Sequence, residues 1–208
     1  MRTRVKICGI TRHEDAAAAV AAGADAVGLV FHPQSPRYID PEAAADIVSR
    51  LPAFVTAVGL FLDPDGYAVN RVLDRVPLDL LQFHGREPPG LCRAFGKRYI
   101  KAVPMAGSVD PLIYAGEFPD AAGIVLDSHA PGEQGGTGAT FDWNTIPVRL
   151  GGPIILAGGL GPGNVGEAVS RFRPYGVDVS SGVERAPGIK DAQRMTAFIR
   201  EVQRVDDV

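Results

Sequence analysis

Cysteine, basic charge and long hydrophobic runs are all scarce in this chain of 208 residues. Its two cysteines, Cys8 and Cys92, are too few for a disulfide framework, and no export signal is recognised, so a reducing cytoplasm is expected. The net charge of −3 carries no basic excess, which argues against a nucleic-acid partner. The longest apolar run, Leu51–Leu62, is too short to span a membrane. The histidines form no metal-ligand pattern, so no metal site is predicted.

Short apolar runs alternate with segments of helical periodicity along the whole chain. The runs start about 25 residues apart, the length of one strand plus one helix. They are Val5–Ile10, Ala26–Phe31, Phe54–Phe61, Leu80–His84, Tyr99–Pro104, Gly123–Asp127, Pro153–Ala157 and Val177–Ser180. Eight such units without an interior linker predict one α/β domain over 1–208, a small closed (βα)8 TIM barrel. An open doubly wound sheet is the alternative.

Capping residues mark the predicted helix boundaries. Thr11 followed by Glu14 predicts a capping box, and Asp40-Pro41 and Asp63-Pro64 each predict a cap followed by proline at the first helical position. Pro147 interrupts the sixth helical segment, so the sixth helix should be short. The last helix is predicted to bury one face, formed by Ala192, Met195, Phe198, Ile199 and Val202.

Glycine-rich segments follow the seventh and eighth predicted strands. Gly161–Gly166 fits the dinucleotide fingerprint GxGxxG, but the one strand and one helix that follow are too little for a dinucleotide-binding half. In eight-fold barrels the loops after strands 7 and 8 often bind phosphate through backbone amides and a helix N-terminus. Gly158-Gly159 and Ser180-Ser181-Gly182 are therefore predicted to bind phosphate. The alternative is that these glycines only close tight turns.

Reactive side chains stand at the C-terminal ends of two predicted strands, where barrel enzymes carry their functional residues. Cys8 ends the first strand and shares a face with Lys6, whose charge would lower the thiol pKa if that face points into the barrel. Taken alone, a cysteine is more often a small buried hydrophobe. Asp127 ends the apolar sixth strand and is predicted to be functional rather than a turn former.

Two further strands end in polar side chains. Asp178 and Ser180 share one face of the eighth strand, and Gln82 and His84 share one face of the fourth. A lone histidine at such a position is often only a structural hydrogen-bonding group, so His84 is not predicted to be a general base.

Short segments in order across nearly the whole chain resemble the phosphoribosylanthranilate isomerase family. They are Lys6–Thr11, Ser35–Tyr38, Gln82–Gly85, Leu126–Ser128, Gly135–Gly138, Phe141–Trp143, Leu156–Leu160 and Val177–Glu184. No motif position departs from the family pattern. The resemblance implies an eight-fold βα barrel of tryptophan biosynthesis without metal or redox cofactor. The expected partner is a phosphorylated small molecule, with no nucleic acid and no membrane, and the expected assembly is a monomer or homodimer.

The implied reaction is the Amadori rearrangement of N-(5-phosphoribosyl)anthranilate to a 1-amino-1-deoxyketose phosphate. Asp127 matches the family's general acid, which protonates the furanose ring oxygen, and Cys8 matches its general base, which takes the proton from C2. Arg37 matches the residue that holds the anthranilate carboxylate, and Asp178 is expected to contact the sugar hydroxyls. The remaining substrate-binding predictions are Lys6, Gln82, His84 and Gly136, together with the phosphate loops.

Two other functions remain open from the sequence. A sugar isomerase of histidine biosynthesis performs the same rearrangement on a related barrel, but that family carries aspartate where this chain has Cys8. A barrel that binds a phosphorylated metabolite without turning it over is the second, and intact acid and base positions argue against it.

Overall fold

The computed structural model describes residues 2–106, 109–128, 142–147 and 152–206. Eight parallel strands form a closed barrel in sequence order, and the last pairs back onto the first. The strands are β1 Arg4–Cys8, β2 Ala26–Val30, β3 Thr56–Phe61, β4 Leu80–Phe83, β5 Tyr99–Pro104, β6 Gly123–Asp127, β7 Ile154–Leu156 and β8 Gly176–Val179. This closure confirms the predicted (βα)8 barrel and excludes the open doubly wound sheet.

Seven α-helices occur in the described residues. They are α1 His13–Ala22, α2 Pro41–Ser49, α3 Gly66–Leu73, α4 Pro89–Arg93, α5 Pro111–Gly116, α6 Val165–Phe172 and α7 Ala192–Asp206. Between β6 and β7, the described stretch 142–147 holds a single 3-10 turn, Trp143–Thr145, in agreement with a short sixth helix. Within the described ranges, no helix has the length and apolar character needed to cross a membrane.

A hairpin that the sequence did not predict follows β8. It begins after the 3-10 turn Ser181–Val183 and consists of two short antiparallel strands, β9 Glu184–Ala186 and β10 Ile189–Lys190. The Thr11 hydroxyl donates a hydrogen bond to the carbonyl of Gly188 in this hairpin, at 2.5 Å. The predicted capping box is therefore wrong, because the Thr11 side chain has a tertiary acceptor. Among the residues that the structure describes, no side chain caps the N-terminus of α1.

The other helix-boundary predictions have mixed outcomes. Asp40 caps α2 as predicted and accepts a hydrogen bond from the Glu42 amide at 3.0 Å. The prediction for Asp63 is wrong, because Asp65 caps α3 while Asp63 turns back to accept a hydrogen bond from the Arg86 amide. The buried face of α7 is confirmed except for Ala192, which is exposed.

The apolar core lies on both sides of the barrel wall. The interior cluster consists of Val58, Ile100, Ala102, Val125 and Ala157. Other residues of the same strands belong to a second cluster with side chains of the surrounding helices. Since alternate side chains of a strand point to opposite faces, a strand covered on both sides appears in the sequence as a continuous apolar run. This arrangement brings the C-terminal ends of all eight strands to one rim.

Candidate active site

A cleft of about 710 Å³ opens at the C-terminal rim of the barrel. Ten of the predicted site residues line it together: Cys8, Arg37, Gln82, His84, Asp127, Gly158, Gly159, Asp178, Ser180 and Ser181. Gly182 lines an adjoining hollow, and Lys6 contacts the cleft through Asp178. Gly136 lies outside the described residues. The fold therefore brings the predicted site residues of β1, β4, β6 and β8 together at one end of the barrel.

Lys6 and Asp178 form a buried ion pair across the seam that closes the barrel. They are register partners on β1 and β8, and the Lys6 Nζ lies 2.7 Å from the Asp178 Oδ2. Burial alone would lower the pKa of Lys6, but the charges of Asp178 and Cys8 and their hydrogen bonds raise it. The lysine is therefore a permanent positive charge next to Asp178, which lines the cleft.

The Cys8 thiol lies beside this ion pair. Burial raises its pKa, the charge of Lys6 lowers it, and the charge of Asp178 raises it again, with a net rise. The sequence-based expectation that Lys6 leaves the thiol with a lowered pKa is therefore wrong. The charge of Lys6 does lower the thiol pKa, as expected, but burial of the thiol raises that pKa by more. Gly28, the register partner of Cys8 on β2, leaves room for the thiol, since a Cβ there would lie 2.8 Å from the Sγ.

His84 and Asp127 approach one another across the cleft. The His84 Nε2 lies 3.8 Å from the Asp127 Oδ2. The other ring nitrogen, Nδ1, lies 3.2 Å from the Gln82 side-chain amide nitrogen. All three side chains are buried, so their polar interactions operate in a low-dielectric environment.

Arg37 is held by a carboxylate of the β9–β10 hairpin. Its Nε and Nη2 donate to the two Glu184 oxygens at 2.9 and 2.8 Å, a bidentate pair. Lys190 Nζ also contacts Glu184, at 2.8 Å, and reaches the Ser180 carbonyl at 3.2 Å. Burial alone would raise the pKa of Glu184, but hydrogen bonds from Arg37 and the charge of Lys190 outweigh it and lower that pKa. Two cations thus share one carboxylate at the rim.

The two glycine-rich loops lie against each other beside the N-terminus of α6. Gly158 and Gly159 have φ angles of 77° and 64°, in the left-handed region that favours glycine. A Cβ on Gly182 would collide with the Leu160 carbonyl. Asn164 fastens the first loop by accepting from the Gly161 amide at 2.8 Å and donating to the Gly159 carbonyl at 3.0 Å. The result is a hollow in which four of the seven lining residues are glycines, and glycine-rich surfaces of this kind bind phosphate oxygens through their amides.

Sequence reasoning missed three residues at this site. Glu184 and Lys190 hold Arg37 and Ser180 as described, and His32 lines the cleft with a buried Nε2. Glu184 closes one of the segments that resemble the family, so its position could have been singled out. Within the described ranges, the buried Asp178 Oδ1, Gln82 Oε1 and His32 Nε2 have no hydrogen-bond partner. Because buried polar atoms are normally paired, these three are suited to receive polar groups of a ligand.

A closed (βα)8 barrel with a thiol, two carboxylates and a glycine-rich hollow at its C-terminal rim is typical of the class of (βα)8-barrel enzymes. A sequence profile described as N-(5'-phosphoribosyl)anthranilate (PRA) isomerase matches residues 5–201. An N-(5'-phosphoribosyl)anthranilate isomerase of Halorhodospira halophila is 55% identical over 207 residues, covering 100% of both chains. The chain belongs to the phosphoribosylanthranilate isomerase family.

Solved structures agree with this assignment. The phosphoribosyl anthranilate isomerase of Thermus thermophilus has a TM-score of 0.87 and 40% identity, with 98% of this chain and 100% of that chain covered. A second phosphoribosyl anthranilate isomerase was solved with reduced 1-(o-carboxyphenylamino)-1-deoxyribulose 5-phosphate. Its TM-score is 0.81 at 40% identity, with 97% of this chain and 98% of that chain covered.

Proposed function

We propose that this chain catalyses the Amadori rearrangement of N-(5-phosphoribosyl)anthranilate to 1-(2-carboxyphenylamino)-1-deoxyribulose 5-phosphate, a step of tryptophan biosynthesis, with Asp127 as acid and Cys8 as base. One observation carries the assignment of roles: both residues line a single cleft, in a chain that belongs to the isomerase family. The reduced product bound by a relative is a phosphorylated small molecule, which supports a ligand of the same kind here.

The first step opens the sugar ring. Asp127 donates its proton to the furanose ring oxygen while the bond between that oxygen and C1 breaks. The lone pair of the anthranilate nitrogen forms the C1=N double bond of a Schiff base. His84 Nε2 lies 3.8 Å from the Asp127 Oδ2, and in this proposal the imidazole keeps the carboxyl group oriented. A positioned acid of this kind accelerates proton transfer because the proton is already within reach of the reacting atom.

The second step moves the double bond. The Cys8 thiolate takes the proton from C2, and the electron pair of that bond forms C1=C2 while the C1=N pair returns to nitrogen. The resulting enolamine tautomerises to the ketone, as C1 gains a proton and the C2 hydroxyl loses one. The thiolate forms beforehand, when the Cys8 thiol releases its proton to solvent. Burial raises the pKa of Cys8 and so disfavours this release, and the Lys6 charge favours it.

Substrate binding uses the rest of the rim. The amides of the Gly158-Gly159 and Ser181-Gly182 loops receive the phosphate, and the unpartnered Asp178 Oδ1 receives a sugar hydroxyl. Arg37 binds the anthranilate carboxylate, with Glu184 fixing two of its nitrogens from the side. A sulfate or phosphate soaked into crystals should therefore lie near Gly159, Ser181 and Gly182, and an anion bound elsewhere on the rim would contradict this.

The roles of Cys8 and Asp127 are tested by substitution. Cys8→Ala and Asp127→Asn should each lower kcat by at least about a hundredfold, the usual contribution of a general acid or base. Loss of the fluorescence of phosphoribosylanthranilate measures turnover, and binding of the product should change far less.

Matched controls separate chemistry from folding. Cys92→Ala replaces the other buried cysteine, which lies outside the cleft lining. Asp79→Asn replaces a carboxylate at the opposite end of the barrel, where it accepts a hydrogen bond from the Ala57 amide. Both should keep near-normal kcat. Near-normal turnover by Cys8→Ala or Asp127→Asn would remove that residue from its role, and turnover of the aminoimidazole substrate of histidine biosynthesis would point to the rival pathway.

We further propose that the enzyme works in the cytoplasm as a monomer or homodimer. Both cysteines are free and buried, a state that a reducing compartment preserves. Light scattering coupled to size exclusion measures the assembly directly, and a higher oligomer would contradict the proposal.

A further inference from the structure

A second pair of buried charges lies outside the cleft. The side chains of Lys101 on β5 and Glu87, in the loop between β4 and α4, are both 0% exposed, with Nζ and Oε2 3.1 Å apart. The Lys101 ammonium also lies 5.4 Å from the ring centroids of Tyr114 and Phe118. Its neighbours Ile100 and Ala102 belong to the barrel interior, so Lys101 points to the other side of the sheet. Such a pair is a weak source of stability, because apolar residues of similar volume often do as well or better.

Lys101 also contacts the main chain, at the Ala102 carbonyl of its own strand at 3.3 Å and at the end of β4. Its Nζ donates to the Gly85 carbonyl at 2.6 Å and to the Phe83 carbonyl at 3.3 Å. These two carbonyls belong to the residues immediately before and after His84. The Tyr114 hydroxyl donates to the same Gly85 carbonyl at 3.2 Å. The backbone on both sides of His84 is therefore held by side chains that lie on the outer, helix-facing side of the sheet.

Glu87 holds the same segment through its amide groups. Both carboxylate oxygens accept from the Gly85 amide at 3.0 Å, and Oε1 also accepts from the Asp63 amide at 3.0 Å. The His84 amide itself donates to the Phe61 carbonyl at 2.9 Å. The loops after β3 and β4 are thus fastened to one buried carboxylate, and that carboxylate is fastened to Lys101.

We propose that Lys101 and Glu87 are positioning residues of the isomerase, which hold the backbone around His84 so that its imidazole stays beside the Asp127 carboxylate. The inference rests on the proposed function of Asp127. The fixed peptide groups on either side hold the His84 Cα, and the Gln82 side-chain nitrogen, 3.2 Å from Nδ1, limits rotation of the ring. A displacement of about 1 Å at a reacting group costs up to about a hundredfold in rate, which makes such fixation effective.

The test is a double substitution that removes both charges together. Lys101→Met alone would leave Glu87 charged and unpaired, whereas Lys101→Met with Glu87→Gln keeps a side-chain oxygen for the Gly85 and Asp63 amides. We expect kcat to fall about ten- to a hundredfold while KM for the substrate changes less than about twofold. The far-ultraviolet circular dichroism and a cooperative thermal transition should be retained.

A double-mutant cycle with His84 separates positioning from a general structural role. In a His84→Ala background, the same pair of substitutions should lower kcat no further, because the group that it positions is absent. An equal fall in both backgrounds, or an unchanged kcat in a folded protein, would overturn the inference. If Cys8→Ala and Asp127→Asn are inactive while the paired variant keeps full kcat, the inference fails and the proposed function stands.

Two further variants complete the design. Lys97→Met is the matched control, because Lys97 also donates to a main-chain carbonyl, that of Leu78, at 2.9 Å, but before β4 rather than after it. It should leave kcat unchanged. If the paired variant does not fold, Tyr114→Phe is measured in its place, because it removes only the hydrogen bond from the Tyr114 hydroxyl to the Gly85 carbonyl. A two- to fivefold fall in kcat that disappears with His84→Ala would support the inference, and no fall would overturn it.

Discussion

Arg37 reaches the rim in a conformation that Glu184 determines. Two of its nitrogens are engaged by the Glu184 carboxylate, and Lys190 balances the charge of that carboxylate. The arrangement keeps a long, flexible side chain in one orientation before the ligand arrives, so less conformational entropy is lost on binding. It also leaves an excess of positive charge, which suits a substrate that carries a phosphate and a carboxylate.

Arg37→Ala should raise KM about tenfold or more while kcat stays largely intact. A charge-assisted contact with the carboxylate is worth about 1.5–3 kcal/mol, and a contact equally strong in ground and transition states changes KM alone. Steady-state kinetics measures both constants. Arg185→Ala, an exposed arginine next to Glu184 in sequence, is the control and should change neither. An unchanged KM for Arg37→Ala would place recognition of the carboxylate on another residue.

The pH dependence of Cys8 reactivity follows from its environment. Burial raises the thiol pKa despite the opposing charge of Lys6, so the reactive thiolate is scarce at neutral pH. In a Cys92→Ala background, alkylation of Cys8 by iodoacetamide should therefore be slow at pH 7. It should accelerate about tenfold per pH unit up to the thiol pKa, because the thiolate fraction rises by that factor. A rate that levels off below pH 8 would show a lowered pKa instead.

At the scale of secondary structure elements, α3 depends on a cap that lies two residues later than the sequence indicated. Asp65 accepts a hydrogen bond from the Ala68 amide at 2.7 Å. Asp65→Ala should therefore lower the free energy of unfolding by about 1 kcal/mol and Tm by about 3 °C, with kcat unchanged. Urea and thermal unfolding measure both. Asp74→Ala, just after the C-terminal end of α3, should not be destabilising, because an acidic side chain is unfavourable there.

The elements that could be predicted are those that depend on local pattern. Strands β2 to β7 carry apolar side chains on both faces and therefore appear as apolar runs, and Asp40 caps α2 within its own turn. The errors involve distant partners. Thr11 bonds to Gly188 and Asp63 to Arg86, and neither contact has a signature in the local sequence.

The candidate site also contains residues that local sequence pattern locates and others that it does not. Cys8, Asp127 and Asp178 stand at strand ends, which periodicity locates, and the family resemblance supplied their roles. Lys101 and Glu87 were not predicted, because a lysine inside an apolar strand does not reveal which carbonyls its ammonium reaches. The net rise in the Cys8 pKa also depends on the depth of burial, which spacing cannot give.

At the scale of the whole molecule, the barrel exists only when β8 closes it. The pairing of β1 with β8 joins the two ends of the chain, and the ion pair between Lys6 and Asp178 lies on that seam. A chain ended after Arg173 lacks β8 and α7, so β1 and β7 become open edges. We expect this fragment to show no cooperative unfolding transition in urea and no isomerase activity. A sharp transition would mean that seven units fold without closure.

The pairing of β1 with β8 also determines when the barrel can close during synthesis of the chain. Lys6 and Asp178 are 172 positions apart, and at about 5–20 residues per second a ribosome needs roughly 10–30 s to pass from one to the other. During that interval β1 has left the ribosome, but its permanent partner on one side has not been made. The nascent chain therefore carries an unpaired edge for most of its synthesis, and chaperones that shield such edges should bind it until β8 emerges.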